Sequence, residues 1–137
     1  MAHGHLNPPG LPNWGETFSQ VVVVPPGSAK TVYVSGQVAV DEAQNLVGRG
    51  DLRAQALRAF RNLEAALAAA GARPSHVVKL NVYVVDYDPA RASEIGDALR
   101  TVFGRENLPA STWLGVASLA KEGLLIEVDA VAVVEVR

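Results

Sequence analysis

The chain has 137 residues, 49% of them hydrophobic, with 12 basic and 14 acidic side chains and a net charge of −2. That suffices for one domain with a buried core, and it is too apolar for a disordered chain. The slight acidity, with no basic stripe interleaved with aromatics, argues against a nucleic-acid partner, and the absence of cysteine excludes disulfides, thiolate catalysis and Cys-based zinc sites.

Residues 1–16 are rich in Pro, Gly and Asn and read as an N-terminal arm ahead of a single domain over 17–137. The first twenty residues carry no basic n-region or apolar h-region, so no signal peptide is expected. The "VVVV" run at 21–24 is too short to span a membrane. These features fit a cytoplasmic protein with no membrane partner.

"TFSQVVVV" (17–24) reads as a strand and "PPGSAK" as a turn. Four consecutive valines leave no polar face, which points to cover on both sides. Two helices cover one side of a sheet; a second copy of the chain is the economical cover for the other, most simply in a closed ring. In "TVYVSGQVAV" (31–40), Val32 and Val34 point one way and Thr31, Tyr33 and Ser35 the other, and Gly36 predicts a bulge or a close backbone approach. "DEAQNLVG" is a loop.

Asp51 is placed to cap a helix in which Leu52, Ala56, Phe60, Leu63, Leu67 and Ala70 share one face, ended by Gly71. "SHVVKLNVYVVD" (75–86) predicts a strand with Val78, Leu80, Val82 and Val84 on its apolar face and Lys79, Asn81 and Tyr83 on its polar one. Pro89 opens a second helix to about Gly104, with Ile95, Ala98, Leu99 and Val102 inward. Strands at about 111–118 and 125–136 close the chain. The order is ββαβαββ, an α+β fold with two helices on one face of a mixed, largely antiparallel sheet.

On the last strand Ile126, Val128, Ala130, Ala132 and Val134 share one face, and Glu127, Asp129, Val131, Val133 and Glu135 the other. Glu127 and Asp129 stand roughly 7 Å apart at i and i+2. They form either a general acid/base pair or a solvent-facing edge. Val131 and Val133 on the same face argue that part of it is covered. His3 and His5 are spaced like metal ligands but lack a third, so no metal is expected. The arginines at 49, 53, 58 and 61 read as a solvated face, His76 as structural, and no phosphate loop or nucleophile elbow is present.

Six stretches in this order, "FSQVVVV", "VYVSGQVAVD", "NLEAALAAAGA", "VVKLNVYVVD", "LPAST" and "IEVDAVAVV", resemble the RidA family (YjgF/YER057c/UK114) across roughly residues 17–135. The resemblance implies a chorismate-mutase-like fold and a homotrimer with small-molecule sites in the clefts between subunits. It implies no cofactor. In the best-studied branch, reactive enamines and imines are hydrolysed to a keto acid and ammonia. There a Pro-Ala-Arg-Ser motif clamps the substrate carboxylate, and a glutamate on the last strand positions water. Carried over, that glutamate is Glu127. Ser35 and Gly36 match the cleft segment Ser-Gly-Gln. Phe18 stands for a cleft tyrosine and lacks its hydroxyl.

Ser111 stands where that branch has its arginine, followed by Thr112 and Trp113. A guanidinium–carboxylate pair is bidentate, and leaving a buried carboxylate without it costs roughly 3–5 kcal/mol. Hydrolysis of ordinary 2-imino acids is therefore expected to be weak. A less cationic, more aromatic cleft suits a less charged ligand. Lys79 and Arg105 are the candidate replacement cations. Two readings stay open: a deaminase with altered substrate acting through Glu127, or a trimeric ligand-binding protein without catalysis. RNA cleavage, a label attached to parts of the family, is disfavoured by the charge.

Overall fold

The computed structural model describes residues 3–10, 13 and 16–136. Trp14, placed in the arm by the sequence, lies outside them. The elements run β1 (Gly4–Leu6), β2 (Val21–Val23), β3 (Ala29–Val38), α1 (Leu52–Ala69), β4 (Val77–Val85), α2 (Ala92–Phe103), β5 (Ala110–Val116) and β6 (Ile126–Glu135). Four strands form a mixed sheet in the order β3-β6-β4-β5. β6 is antiparallel to both neighbours, and β5 runs parallel to β4. The parallel pair needs a crossover, which α2 supplies.

α1 begins where Asp51 accepts a hydrogen bond from the Ala54 amide at 3.0 Å. It ends in a Schellman pattern: Gly71 at φ 73° donates to Ala68, and Ala72 donates to Leu67. Leu52, Phe60, Leu63 and Leu67 bury one face against Leu80, Val82, Ile126 and Val128 of the sheet. Each such side chain contributes about 1.5–3 kcal/mol. α2 adds Ile95, Ala98 and Leu99, and Phe60 meets Phe103 edge to face at 5.9 Å. Pro89 opens a single 3-10 turn, and α2 itself starts at Ala92.

Three details depart from the pattern read above. Residues 4–6, within the predicted arm, pair with β2 as a separate two-stranded ribbon. The valine run is therefore outside the main sheet, and Val21, Val23 and Val24 are exposed in the single chain. The register shifts between Val77 and Lys79, so Val77 faces the core in place of Val78. The irregularity expected at Gly36 is present as a register shift between Val34 and Gln37.

One side of the sheet is packed by the helices. The other carries Tyr33, 79% exposed, and Leu114, 49% exposed.

Candidate active site

Glu127 projects from the helix-free face of β6, opposite Tyr83 of β4. Its carboxylate lies directly against Gly36 of the β3 bulge: a Cβ there would collide with Glu127 Oε2 and stand 2.6 Å from Cδ. Only glycine leaves this space, which is the physical content of the close approach expected at that residue. Ser35 is exposed in the same bulge, and its carbonyl accepts from Gln37 Nε2 at 3.2 Å.

Glu127 and Asp129 of β6 are not equivalent. Asp129 accepts from Asn81 Nδ2 at 2.9 Å, and the Tyr83 phenol lies near its carboxylate. Burial, then the neighbouring Asp129 carboxylate and the charge of Glu127, hold the Tyr83 phenol above its ordinary value, so it is neutral at physiological pH. Asp129 is thus committed to its neighbours, whereas Glu127 accepts no hydrogen bond among the described residues. Of the pair, Glu127 is the one available to a water molecule. Thr112, also on this face, accepts from Lys79 Nζ at 2.8 Å.

The remaining sequence-derived residues gather elsewhere. In the parallel register Leu80 pairs with Ser111 and Val82 with Trp113. Leu80 and Val82 face the helices, so Ser111 and Trp113 project from the helix side of the edge strand. Ser19 ties the segment before β2 to the start of β5. Its amide donates to the Pro109 carbonyl at 3.2 Å, and its hydroxyl donates to the Leu108 carbonyl at 2.5 Å. This leaves Thr17 and Phe18 facing Ser111 and Trp113 across an open cleft of ≈ 230 Å³, lined among the described residues by these four. Trp113 Nε1 donates to Ser111 Oγ at 3.0 Å.

Within one chain, then, Glu127, Gly36, Ser35 and Thr112 belong to one face, and Phe18, Ser111 and Trp113 to the other. Neither candidate cation lines the cleft: Lys79 is on the Glu127 face, and the exposed Arg105 pairs with Glu16 at 3.4 Å. The Asn81–Asp129 bond and the Ser19 tie escaped sequence reasoning. Asn81 is readable in the sequence as a residue on the polar face of its own strand, but Ser19 carries no local signal. Among the described residues no group of three His, Asp or Glu side chains is arranged to hold a metal, and no helix is long and apolar enough to cross a membrane.

A family model described as Endoribonuclease L-PSP matches residues 12–134. The chain is 34% identical over 118 residues to a 2-iminobutanoate/2-iminopropanoate deaminase of Dermatophagoides farinae, covering 86% of each. It is 38% identical over 120 residues to protein DfrA of Myxococcus xanthus, covering 85% of this chain and 84% of that one. It superposes on YyfB from Yersinia pestis, a Rid-family protein of unknown function, with a TM-score of 0.90 at 35% identity, covering 98% of this chain and 100% of that one. Sequence and fold agree over nearly the whole length, and the chain belongs to the Endoribonuclease L-PSP family, also called the RidA or YjgF family.

Proposed function

We propose that the chain is an imine or enamine deaminase with an altered substrate, its sites formed in the clefts of a homotrimer. The observation that carries this reading is the division of the site residues by the sheet. Glu127 and the Ser111–Trp113 cleft occupy opposite faces of one chain, so a ligand touching both needs Glu127 from one copy and the cleft from the next. The apolar side chains left exposed on the helix-free face, Leu114 and Tyr33, support its burial against a neighbouring copy.

In this reading Glu127 accepts a proton from water as the water oxygen attacks the C=N carbon. The resulting carbinolamine loses its nitrogen as ammonia, and a carbonyl remains. Glu127 passes the first water proton to the imine nitrogen as the carbinolamine forms, and then carries the hydroxyl proton to the departing nitrogen as the C–N bond breaks, so both protons gained by ammonia come from water, the only co-reactant. The Glu127 and Asp129 carboxylates repel phosphates, which disfavours RNA as substrate.

A second reading, a ligand-binding protein without catalysis, is favoured by one feature. The position of the family's clamp holds Ser111, whose hydroxyl is bonded to Trp113.

Imines generated in situ by an amino acid oxidase, with semicarbazide as competing trap, separate the two. Faster imine loss with wild type, but not with Glu127→Gln, supports the hydrolase. Wild type and Ser111→Arg both at the oxidase-only rate would leave ligand binding as the function. Activity gained only by Ser111→Arg would mean an intact scaffold tuned to another ligand.

A further inference from the structure

The Ser111–Trp113 hydrogen bond restricts what the edge cleft accepts. The indole N–H is used up on Ser111 Oγ. The serine hydroxyl accepts that bond and so keeps its own proton to donate. The indole packs against the hydrophobic core on one side and lines the cleft on the other, with Phe18 also in the lining. None of the four lining residues is charged, so a carboxylate entering here sheds water without gaining a cation. A largely apolar cavity with a few directed polar groups, here the Ser111 hydroxyl with Thr17 beside it, is a common design for ligand sites.

We infer that the cleft receives a neutral, planar unsaturated group bearing one hydrogen-bond acceptor, with the Trp113 ring as its wall and the Ser111 hydroxyl as its donor. A ring stacks on or meets the indole edge to face, and a carbonyl oxygen or imine nitrogen takes the serine proton. This rests on the reading of the cleft as the ligand site and adds its chemical class. Trp113 sets the shape that is accepted, and Ser111 sets the polarity.

Calorimetric titration of the full chain with three probes tests this. Benzamide carries ring and acceptor without charge, benzoate adds the charge, and acetamide lacks the ring. Benzamide is expected to bind saturably, benzoate about tenfold more weakly or worse, and acetamide not measurably. Ser111→Ala should weaken benzamide about fivefold, the usual value of one neutral hydrogen bond. Ser111→Arg should reverse the order of benzamide and benzoate. Trp113→Leu should abolish benzamide binding; should that variant fail to fold by thermal melting, the two Ser111 variants carry the test.

Absence of saturable benzamide binding, benzoate binding as tightly as benzamide to wild type, or full binding by folded Trp113→Leu overturns the inference. Imine turnover that needs Glu127 yet ignores both ring and Trp113 overturns it while the hydrolase stands. Trp113-dependent benzamide binding without turnover of any imine overturns the hydrolase and sustains the cleft.

Discussion

Glu127 rests its carboxylate on the bare Cα of Gly36, across the β3–β6 pair. Gly36 is not in the left-handed region, so alanine is allowed by its backbone. The obstacle is the end of a flexible side chain, which turns aside at little cost. Gly36→Ala should therefore change stability by less than about 1 kcal/mol, because a movable side chain absorbs the clash. It should also displace the proposed base and lower kcat at least tenfold, since general-base catalysis depends on position. Thermal melting and the imine assay on one preparation read both effects; equal wild-type values for kcat would separate Glu127 from the chemistry.

If a site draws Glu127 and the cleft from different copies, two inactive variants restore each other. Glu127→Gln and Trp113→Ala, unfolded together at equal amounts and refolded, should recover about one wild-type site in four, as random assembly of a cyclic oligomer requires. Mixing without exchange should recover nothing. Persistent inactivity after verified exchange would place the whole site within one chain.

Gln55 is a second residue whose weight exceeds its visibility in the sequence. It is 0% exposed on α1. Its amide nitrogen donates to the Gly48 and Gly123 carbonyls at 3.2 and 3.0 Å, and its oxygen accepts from the Leu125 amide at 2.9 Å. Gln55→Leu strands these backbone groups and should destabilise the fold by about 2–4 kcal/mol in denaturant titration.

The pH dependence of stability should carry a histidine signature. Burial, then the charge of His5 and that of His76, holds His3 below the usual value near 6.5. Burial, then Arg73, does the same for His76, whose Nδ1 accepts from the Arg73 amide at 2.9 Å. A histidine with a lowered folded pKa binds fewer protons folded than unfolded, so stability rises with pH through that interval and levels off above about 6.5. The carboxyls of Glu94, lowered by Arg91, and Asp97, lowered by Arg53 and then Arg100, act only below about 4.5. Denaturant midpoints should fall between about pH 6.5 and 5, and His3→Gln with His76→Gln should flatten that fall. An unchanged slope in the double variant would assign it to other groups.

The local signals proved legible where geometry is local. Asp51 and Gly71 bound α1 because capping needs only neighbours along the chain. Gly36 announced its bulge for the same reason. The candidate residues can be named from the sequence one by one, but not the face of the sheet each occupies. Alternation assigns sides within a strand, yet whether Ser111 shares a side with Glu127 depends on the pairing of Ser111 with Leu80, a contact between distant segments. The shift at Val77 and the diversion of the valine run to a ribbon with β1 have the same origin.

The Ser19 hydroxyl and the Leu108 carbonyl that close the cleft are 89 residues apart in sequence. The segment before β2 is held to β5 by this tie and not by a strand ladder, so the cleft is expected to open more readily than the sheet in native-state fluctuations. A ligand held in the cleft would latch the segment before β2 onto β5, and slowed exchange of the Ser19 amide proton would then gauge occupancy.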